Sequence, residues 1–324
     1  MAGLIRLQWR PFRFALPQPL ATAAGTVHQR CGWLLRLQGE QGGLGWGEAA
    51  PLDGWLAPVA EAIEALGSAC TRNGLEAALA ANGLPPALVF AVGAALAELD
   101  GLPQRRWLAA PASALLLPAG PAALEALDRG APATVFKWKV AVFPDRLELE
   151  LLEQLLQRLP AEARLRLDAN GGWDQATATA WVERLAGEPR LQWLEQPLDP
   201  ADQAGLVALA ARVPVALDES LQRQPALCQS WPGWQVRRPS QEGDPRKLLA
   251  ALEQGAPQLM LSTAFETGIA RRWLDHLAAL QAEGPTPVAP GLAPGWQAPG
   301  GLGSADPERV WLAAAAPASG VQAR

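Results

Sequence analysis

The chain has 324 residues, of which 49% are apolar and 18% charged, and its mean hydropathy is +0.03. These values exclude an intrinsically disordered or collagen-like chain and leave room for one large domain or two unequal ones. A net charge of −5, without a run of lysine or arginine, argues against nucleic acid or an anionic membrane as a partner. No apolar run approaches the roughly 20 residues that cross a bilayer, so we expect a cytoplasmic protein.

Residues 1–105 predict an α+β domain in which a hairpin precedes helices. Apolar and polar residues alternate over Gly32 to Leu37, and the stretch from Gly39 to Gly47 is rich in turn residues. Apolar helical patterns follow at about 56–70 and 86–99.

Residues 106–296 alternate short apolar runs with amphipathic stretches, which is typical of βα units on a parallel sheet. Successive strand ends lie 20 to 27 residues apart, a spacing that fits a TIM-like barrel. The predicted strands are 164–167, 191–194, 213–217, 234–237 and 258–261, with 287–289 as the last. Predicted helices begin at Asp174, at Asp199-Pro200 and at Asp244-Pro245. We expect the tail 297–324 to return to the first domain.

The scarcity of tyrosine, histidine and cysteine in this chain excludes several kinds of catalytic and metal site. The sequence has no tyrosine and two distant histidines, which excludes phenolic acid/base catalysis and a three-histidine zinc site. Its three cysteines have no CxxC spacing, which argues against a disulfide framework and a thiolate zinc site.

Of the 27 basic residues, 24 are arginine, so the few lysines are informative. Lys137 and Lys139 lie two residues apart, on one face of a predicted strand. Lysine can lose its proton near neutral pH when its surroundings lower its pKa, whereas arginine cannot. The pair is therefore a candidate acid/base site; the alternative is a strand face with two solvated ammonium groups.

Three successive predicted strands end in a carboxylate, at Asp168, Glu195 and Asp218. Because the carboxyl ends of barrel strands converge on one face, we expect these groups to lie close together. Adjacent carboxylates repel, and an all-oxygen set suits Mg²⁺. The alternative is that each acid caps the helix that follows it.

These residues resemble the enolase superfamily, in the branch of the muconate cycloisomerases, dipeptide epimerases and o-succinylbenzoate synthases. The motifs that carry the resemblance are Lys137-Trp-Lys139, Asp168-Ala-Asn170, Glu195-Gln-Pro197, Asp218-Glu-Ser220 and Gly45-Trp-Gly-Glu-Ala-Ala-Pro-Leu52. The resemblance implies an α/β fold: a modified (β/α)₇β TIM barrel under an N-terminal α+β capping domain that the C-terminal tail completes. It also implies that Asp168, Glu195 and Asp218 bind Mg²⁺, with Mn²⁺ able to substitute, and that the metal stabilises an enediolate.

One departure from the branch discriminates between its members. Arg238 precedes Pro239 where the branch usually has a second catalytic lysine. A guanidinium is a poor proton-exchange group, which argues against epimerisation, whereas a syn elimination needs only one base. Lys139 would be that base and then the acid, Lys137 would lower its pKa, and Arg238 would stack as a fixed cation on the opposite face.

This pattern resembles the o-succinylbenzoate synthase family, whose reaction is dehydration of 2-succinyl-6-hydroxy-2,4-cyclohexadiene-1-carboxylate in menaquinone or phylloquinone synthesis. The open alternatives are another lyase or cycloisomerase of the superfamily, an N-acylamino acid racemase, or a non-catalytic barrel that binds a carboxylate. The sequence leaves the choice between monomer and homo-oligomer open.

Five further residues have predicted supporting roles. Asn170 and Glu219 would orient the neighbouring ligands, or serve a local turn or helix cap. Ser262 and Thr263 would hold one substrate carboxylate. Arg30, after the small-residue loop 21–30, would contact the succinyl tail, or form a surface salt bridge. Residues 288–295 depart from the family pattern and leave that wall of the pocket undefined.

Overall fold

A computed structural model describes residues 3–22, 25–52, 54–102, 107–130 and 133–315. The N-terminal domain contains a four-stranded antiparallel sheet of order β3-β2-β1-β4. Its strands are β1 (Leu4–Thr22), β2 (Gly25–Gly39), β3 (Leu44–Ala49) and β4 (Ala69–Thr71). The predicted alternation at 32–37 lies in β2, and the turn-rich stretch contains both a short turn and all but the end of β3.

Strand β1 is the element of this sheet that the sequence pattern does not predict. Its first half buries Ile5 and Leu7 against one face of the sheet, and its second half buries Phe12 and Phe14 against the other face. The alternation therefore changes phase near Pro11, so no single period of two runs through the strand.

Three helices follow in the cap: α1 (Leu56–Leu66), α2 (Arg72–Ala80) and α3 (Pro86–Leu99). Helix α3 is buried along almost its whole length, because Leu88 and Ala95 face the cap sheet while Phe90 and Ala94 face the barrel. It is the helix that joins the two domains.

Close packing of α3 on β3 requires glycine in the strand. A Cβ added at Gly45 would lie 1.9 Å from the carbonyl oxygen of Ala95, and one at Gly47 would lie 2.0 Å from that of Ala91. Both oxygens belong to the helix backbone and cannot move independently. The glycines of this motif are therefore explained by packing.

We expect Gly47→Ala to lower the free energy of unfolding by about 3 kcal/mol, since α3 must move away from the sheet to admit the methyl group. Urea unfolding measures this loss. Gly43→Ala is the matched control, because its added Cβ would only reach ordinary contact, 3.7 Å from Leu99 Cδ2. Equal stability of Gly47→Ala and the unsubstituted protein would contradict the packing argument.

The second domain is built on seven parallel strands, each paired with the next in sequence. They are β5 (Leu115–Leu117), β6 (Val135–Lys139), β7 (Arg164–Asp168), β8 (Leu191–Glu195), β9 (Val215–Leu217), β10 (Trp234–Arg237) and β11 (Leu259–Leu261). Its helices are α4 (Ala122–Asp128), α5 (Asp145–Arg158), α6 (Gln175–Leu185), α7 (Gln203–Ala210), α8 (Glu219–Arg223), α9 (Leu227–Ser230), α10 (Pro245–Glu253) and α11 (Gly268–Ala282), and α12 (Pro307–Ala315) follows in the C-terminal tail.

Two of the predicted helix starts in this domain are observed and one is wrong. Asp174 and Asp244 cap α6 and α10 with their side chains. Helix α7 begins at Gln203 rather than after Asp199, since Asp202 accepts a hydrogen bond from Gly205 N at 2.9 Å and is the cap. Asp199 instead accepts one from Ala201 N in the preceding turn.

The ring of strands closes through a short segment at Pro290 and Gly291. Gly291 N donates to Leu261 O at the end of β11, and Ala114 N, just before β5, donates to Pro290 O. The closing pair lies just beyond the predicted strand at 287–289, and residues 287–289 themselves are not in a strand. The predicted fold class, a modified barrel with an N-terminal α+β cap, is confirmed, and the sheet of the cap is antiparallel.

The C-terminal helix packs on the cap. Arg10 donates to the carbonyl of Trp311 in α12 at 2.9 Å, and the Trp311 ring meets that of Trp46 edge to face. Residues 316–324 and the proposed domain boundary at 105–106 lie outside the described residues, so the exact domain limits stay a prediction. Among the described residues, no helix is long and apolar enough to cross a membrane.

A buried carboxylate joins β3 to the first turn of α11. Glu48 accepts hydrogen bonds from the amide and the hydroxyl of Thr267, which is the N-cap of α11. Burial raises the pKa of Glu48 to about 7; nearby Glu266 acts in the same direction, while Thr267 and Arg30 oppose it. The folded protein therefore binds a proton here more tightly than the unfolded chain does.

This raised pKa predicts a loss of stability on going from about pH 4.5 to pH 8, because the contribution is complete below the unfolded pKa and disappears as the pH rises through 7. Over that pH range, the free energy of unfolding of the unsubstituted protein should fall by up to about 3 kcal/mol relative to that of Glu48→Gln. Urea unfolding at both pH values measures the difference. Glu61→Gln, at an exposed position of α1, is the control, and a difference between protein and Glu48→Gln that does not vary with pH would contradict the assignment.

Candidate active site

The strand register brings the predicted site residues together at the carboxyl edge of the barrel. Lys139 at the end of β6 lies beside Asp168 at the end of β7, and Asp168 lies beside Glu195 at the end of β8. Asp218 directly follows β9, two residues beyond the partner of Glu195. Trp138 points the other way, into the barrel's outer core, so the two lysines share the inner face.

Lys137 forms ion pairs with two of the carboxylates. Its Nζ lies 2.8 Å from Asp168 Oδ2 and 2.6 Å from Glu195 Oε1. Burial alone would lower the pKa of Lys137, but the two carboxylates outweigh it and hold that pKa above its usual value. Burial raises the pKa of Glu195 despite this pairing. Lys137 therefore serves as a fixed counter-charge in this arrangement.

Arg238 neutralises the third carboxylate. Its Nε and Nη2 donate to the two oxygens of Asp218 at 3.0 and 2.5 Å, and its Nη1 donates to Thr263 O at 2.6 Å. Burial works to raise the pKa of Asp218, yet the guanidinium outweighs it and lowers that pKa. Lys139 and Arg238 thus lie on β6 and directly after β10, on opposite sides of the three carboxylates.

Lys139 differs from its neighbour in its electrostatic environment. It is half-buried, and desolvation lowers its pKa; the charge of Lys137 lowers it further, while Asp168 opposes the shift. One of the two lysines is therefore held protonated and the other is brought toward proton exchange. The lowered pKa of Lys139 agrees in direction with the expectation, and the assignment of base and acid to it stays a prediction.

The carboxylate oxygens of the site are the donor type that a hard divalent cation binds. In this structure they are paired with side-chain cations rather than gathered around one point. Within the described residues, no three carboxylate, imidazole or thiol groups surround one point closely enough to hold a metal ion. Lys137 and Arg238 occupy the oxygens instead. Two buried oxygens beside the trio, Asn170 Oδ1 and Glu219 Oε2, have no hydrogen-bond partner. Oxygen atoms of this kind suit Mg²⁺ and its water ligands, so a metal would replace the two side-chain cations.

The side chains of Asn170 and Glu219 are hydrogen-bonded to each other and so connect the segments that follow β7 and β9. Asn170 Nδ2 donates to Glu219 Oε1 at 3.0 Å, and Asn170 N donates to Asp168 Oδ1. Burial, followed by the charges of Asp218 and Asp168, raises the pKa of Glu219 to about 8. The bridge connects the residues beside two of the carboxylates, and whether it orients them is a prediction.

Gln196 is a site residue that sequence reasoning did not single out. It is fully buried with a left-handed φ of 38°, and its Oε1 accepts from the amides of Asp218 and Ser220. Its Nε2 donates to Ser220 Oγ at 2.8 Å. Gln196 therefore fixes the loop that carries Asp218. The motif Glu195-Gln-Pro197 contains it, but its hydrogen-bond partners are distant in sequence.

The predicted substrate-binding residues are engaged within the protein. Ser262 Oγ donates to Gly291 O, and Thr263 Oγ1 donates to Glu266 Oε2 at 2.5 Å. Arg30 is buried rather than at the surface, and it donates to the carbonyls of Ala50 and Pro51. The predicted loop 21–30 is wrong for its described part, since residues 21–22 end β1 and residues 25–30 begin β2; residues 23 and 24 lie outside the described residues. The substrate contacts of Ser262, Thr263 and Arg30 stay predictions.

Comparisons with known proteins identify the family and the fold. Residues 121–229 match the family described as "Enolase C-terminal domain-like". The chain is 28% identical, over 284 residues, to an o-succinylbenzoate synthase of Pectobacterium atrosepticum, covering 83% of this chain and 85% of that protein. A dipeptide epimerase from Enterococcus faecalis V583 shares the fold, with a TM-score of 0.72 and 19% identity over 88% of this chain and 89% of that one.

Two further comparisons match o-succinylbenzoate synthases of Thermosynechococcus strain BP-1. A solved o-succinylbenzoate synthase from Thermosynechococcus elongatus BP-1, complexed with Mg in its active site, aligns with a TM-score of 0.79 and 35% identity over 95% of this chain and 99% of that one. An o-succinylbenzoate synthase of Thermosynechococcus vestitus is 40% identical over 293 residues, which cover 84% of this chain and 88% of that protein. The chain therefore belongs to the o-succinylbenzoate synthase family of the enolase superfamily.

Proposed function

We propose that this chain is a Mg²⁺-dependent carbon–oxygen lyase that converts 2-succinyl-6-hydroxy-2,4-cyclohexadiene-1-carboxylate to o-succinylbenzoate and water. The observation that carries the proposal is the asymmetric pair of cations across the carboxylates. Lys139 has a lowered pKa on one side, and Arg238 is a permanent cation on the other. One proton-exchange group and one fixed charge suffice for a syn elimination.

Asp168, Glu195 and Asp218 would hold the metal, with Asn170 and Glu219 orienting two of them. When bound, Mg²⁺ supplies positive charge beside the substrate carboxylate and so stabilises the enediolate that forms as the α-proton leaves. Mn²⁺ would fill the same role.

Lys139 would perform both proton transfers. Its neutral Nζ takes the proton from the carbon that bears the carboxylate. The carbon–oxygen bond to the neighbouring hydroxyl then breaks, and the same ammonium protonates the departing hydroxide on that face, which yields water and the aromatic product. Lys137 neutralises nearby carboxylate charge and lowers the pKa of Lys139.

Arg238 would act without exchanging a proton. Its guanidinium is planar and stays charged, so it can stack on a delocalised ring and stabilise negative charge there. The opposite face then lacks a second base, which a racemase or epimerase of this branch would need. This asymmetry disfavours the racemase alternative.

The proposed setting is the cytoplasm, in menaquinone or phylloquinone synthesis, with a small-molecule carboxylate as the partner. Ser262, Thr263 and Arg30 are proposed as substrate contacts. For the first two to serve, their hydroxyls would have to release the hydrogen bonds described above.

The experiment that tests this function follows the ultraviolet absorbance of the cyclohexadiene substrate with purified protein, in Mg²⁺ and after chelation. We expect Mg²⁺-dependent loss of substrate with o-succinylbenzoate as the product. Parallel incubation with an N-acylamino acid in D₂O tests the racemase alternative. Substrate that persists beside folded, metal-loaded protein, or rapid deuterium exchange at the amino acid α-carbon with no dehydration, would overturn the proposal.

A further inference from the structure

The loop that follows Lys139 is held by a buried carboxylate outside the predicted site. Glu148, in the first turn of α5, is fully buried. Its Oε2 accepts from Ala141 N at 2.8 Å, and its Oε1 accepts from the amides of Val142 and Phe143, both at 3.0 Å. Three consecutive amides of the β6–α5 loop thus converge on one carboxylate, and their dipoles compensate for its charge.

The loop takes a conformation that needs such a restraint. Ala141 has a φ of 60°, in the left-handed region that residues with a Cβ disfavour, and it lies only two positions after Lys139. The side chains of the loop are only partly buried: Val142 is exposed, and Phe143, partly exposed, lies with its ring against Gly120. A cavity of about 310 Å³ lies between this loop and the loop after β7.

The held loop is continuous with the reacting end of the barrel. Val140 N donates to Asp168 O at 2.9 Å, which extends the pairing of β6 and β7 past Lys139. On the other loop, a Cβ added at Gly172 would lie 2.9 Å from the Cβ of Ala141, so the two loops are in close contact. A shift of residues 141–143 would therefore displace the strand end that carries Lys139.

We propose that Glu148 is a positioning residue for the dehydration: by binding the amides of residues 141–143, it holds the end of β6 and hence the Nζ of Lys139 at the reacting carbon. Glu148 acts through the backbone and does not touch the substrate. This inference rests on the proposed function, because it assigns Lys139 as the group to be positioned.

The test is Glu148→Gln, which keeps the shape of the side chain but turns an N–H toward the loop amides. We expect kcat to fall about 30- to 100-fold, because misplacing a reacting group by about 1 Å costs that much. KM and Mg²⁺ affinity should stay within about twofold of the unsubstituted protein, a split that general destabilisation would not produce. Glu150→Gln, on an exposed part of the same helix, is the matched control.

Two further measurements complete the test. Amide hydrogen exchange over residues 140–147 should be faster in Glu148→Gln, a readout that is independent of activity. Adding Ala141→Gly should restore much of kcat, since glycine adopts the left-handed conformation without steric cost. If Glu148→Gln is unstable, Glu148→Asp, whose carboxylate is one methylene shorter, replaces it.

A folded Glu148→Gln with unchanged kcat, or one whose loss in kcat is matched by an equal loss in Mg²⁺ affinity, would overturn the inference. Failure of the proposed function itself is distinguishable, since the unsubstituted protein would then show no dehydration, while the exchange measurement would still report on the loop.

Discussion

Lys139→Arg should lower kcat by at least about 10³-fold while the protein stays folded and binds Mg²⁺ as before. General acid/base groups contribute about 10²- to 10⁴-fold, and Lys139 is assigned both proton transfers. Arginine keeps the positive charge but cannot release its proton near neutral pH, so the substitution removes only the chemistry. Steady-state turnover of the cyclohexadiene substrate, with calorimetric Mg²⁺ titration of the same sample, measures both properties.

Lys247→Arg is the matched control. It makes the same change of residue type, but Lys247 is exposed on α10, away from the barrel mouth. Its kcat should equal that of the unsubstituted protein. Substantial turnover by Lys139→Arg would remove Lys139 from the mechanism.

Glu195→Gln should weaken Mg²⁺ binding at least about 100-fold and abolish turnover with it. Substituting residues that merely support a metal ligand costs about 10- to 100-fold in affinity, and the loss of a charged ligand should cost no less. The fold should survive, because burial already raises the pKa of Glu195 and a neutral amide avoids that desolvation cost. Mg²⁺ titration calorimetry gives the affinity, and circular dichroism reports the fold.

Glu183→Gln provides the comparison, since Glu183 is an exposed glutamate on the outer helix α6. Its Mg²⁺ affinity should be unaltered. If Glu195→Gln bound Mg²⁺ as tightly as the unsubstituted protein, the metal would have to lie elsewhere.

The parts of the site that the sequence predicted share one property: they follow from position along a strand. Asp168, Glu195 and Asp218 each end an apolar run one βα unit after the last, and parallel pairing places such ends side by side. The spacing of Lys137 and Lys139 likewise places both on one face, because side chains alternate along a strand.

The parts that could not be predicted depend on pairings between distant side chains. Arg238 lies 20 residues from Asp218 in sequence, and no local pattern indicates that its guanidinium takes both carboxylate oxygens. Gln196 and Glu148 act through backbone amides, which carry no residue-type signal. In β1, the change of buried face near Pro11 removes the periodicity on which strand prediction relies.

In the cap, too, the features that the sequence did not predict depend on contacts between residues that are distant in sequence. Gly45 and Gly47 lie in a motif that suggested function, yet α3 packs so closely there that a side chain is excluded. The hydrogen bond of Glu48 to Thr267 spans 219 residues and joins the cap to the barrel. Such contacts appear only when both domains are folded together.

A crystal structure of the protein with Mn²⁺ and o-succinylbenzoate, with the metal located by its anomalous signal, tests the central claim most directly. We expect one metal ion coordinated by oxygens of Asp168, Glu195 and Asp218, with Lys137 and Arg238 moved off the ligating oxygens. Lys139 Nζ should face the product ring from one side and Arg238 from the other. A metal bound away from these carboxylates, or a product ring out of reach of Lys139, would contradict the account.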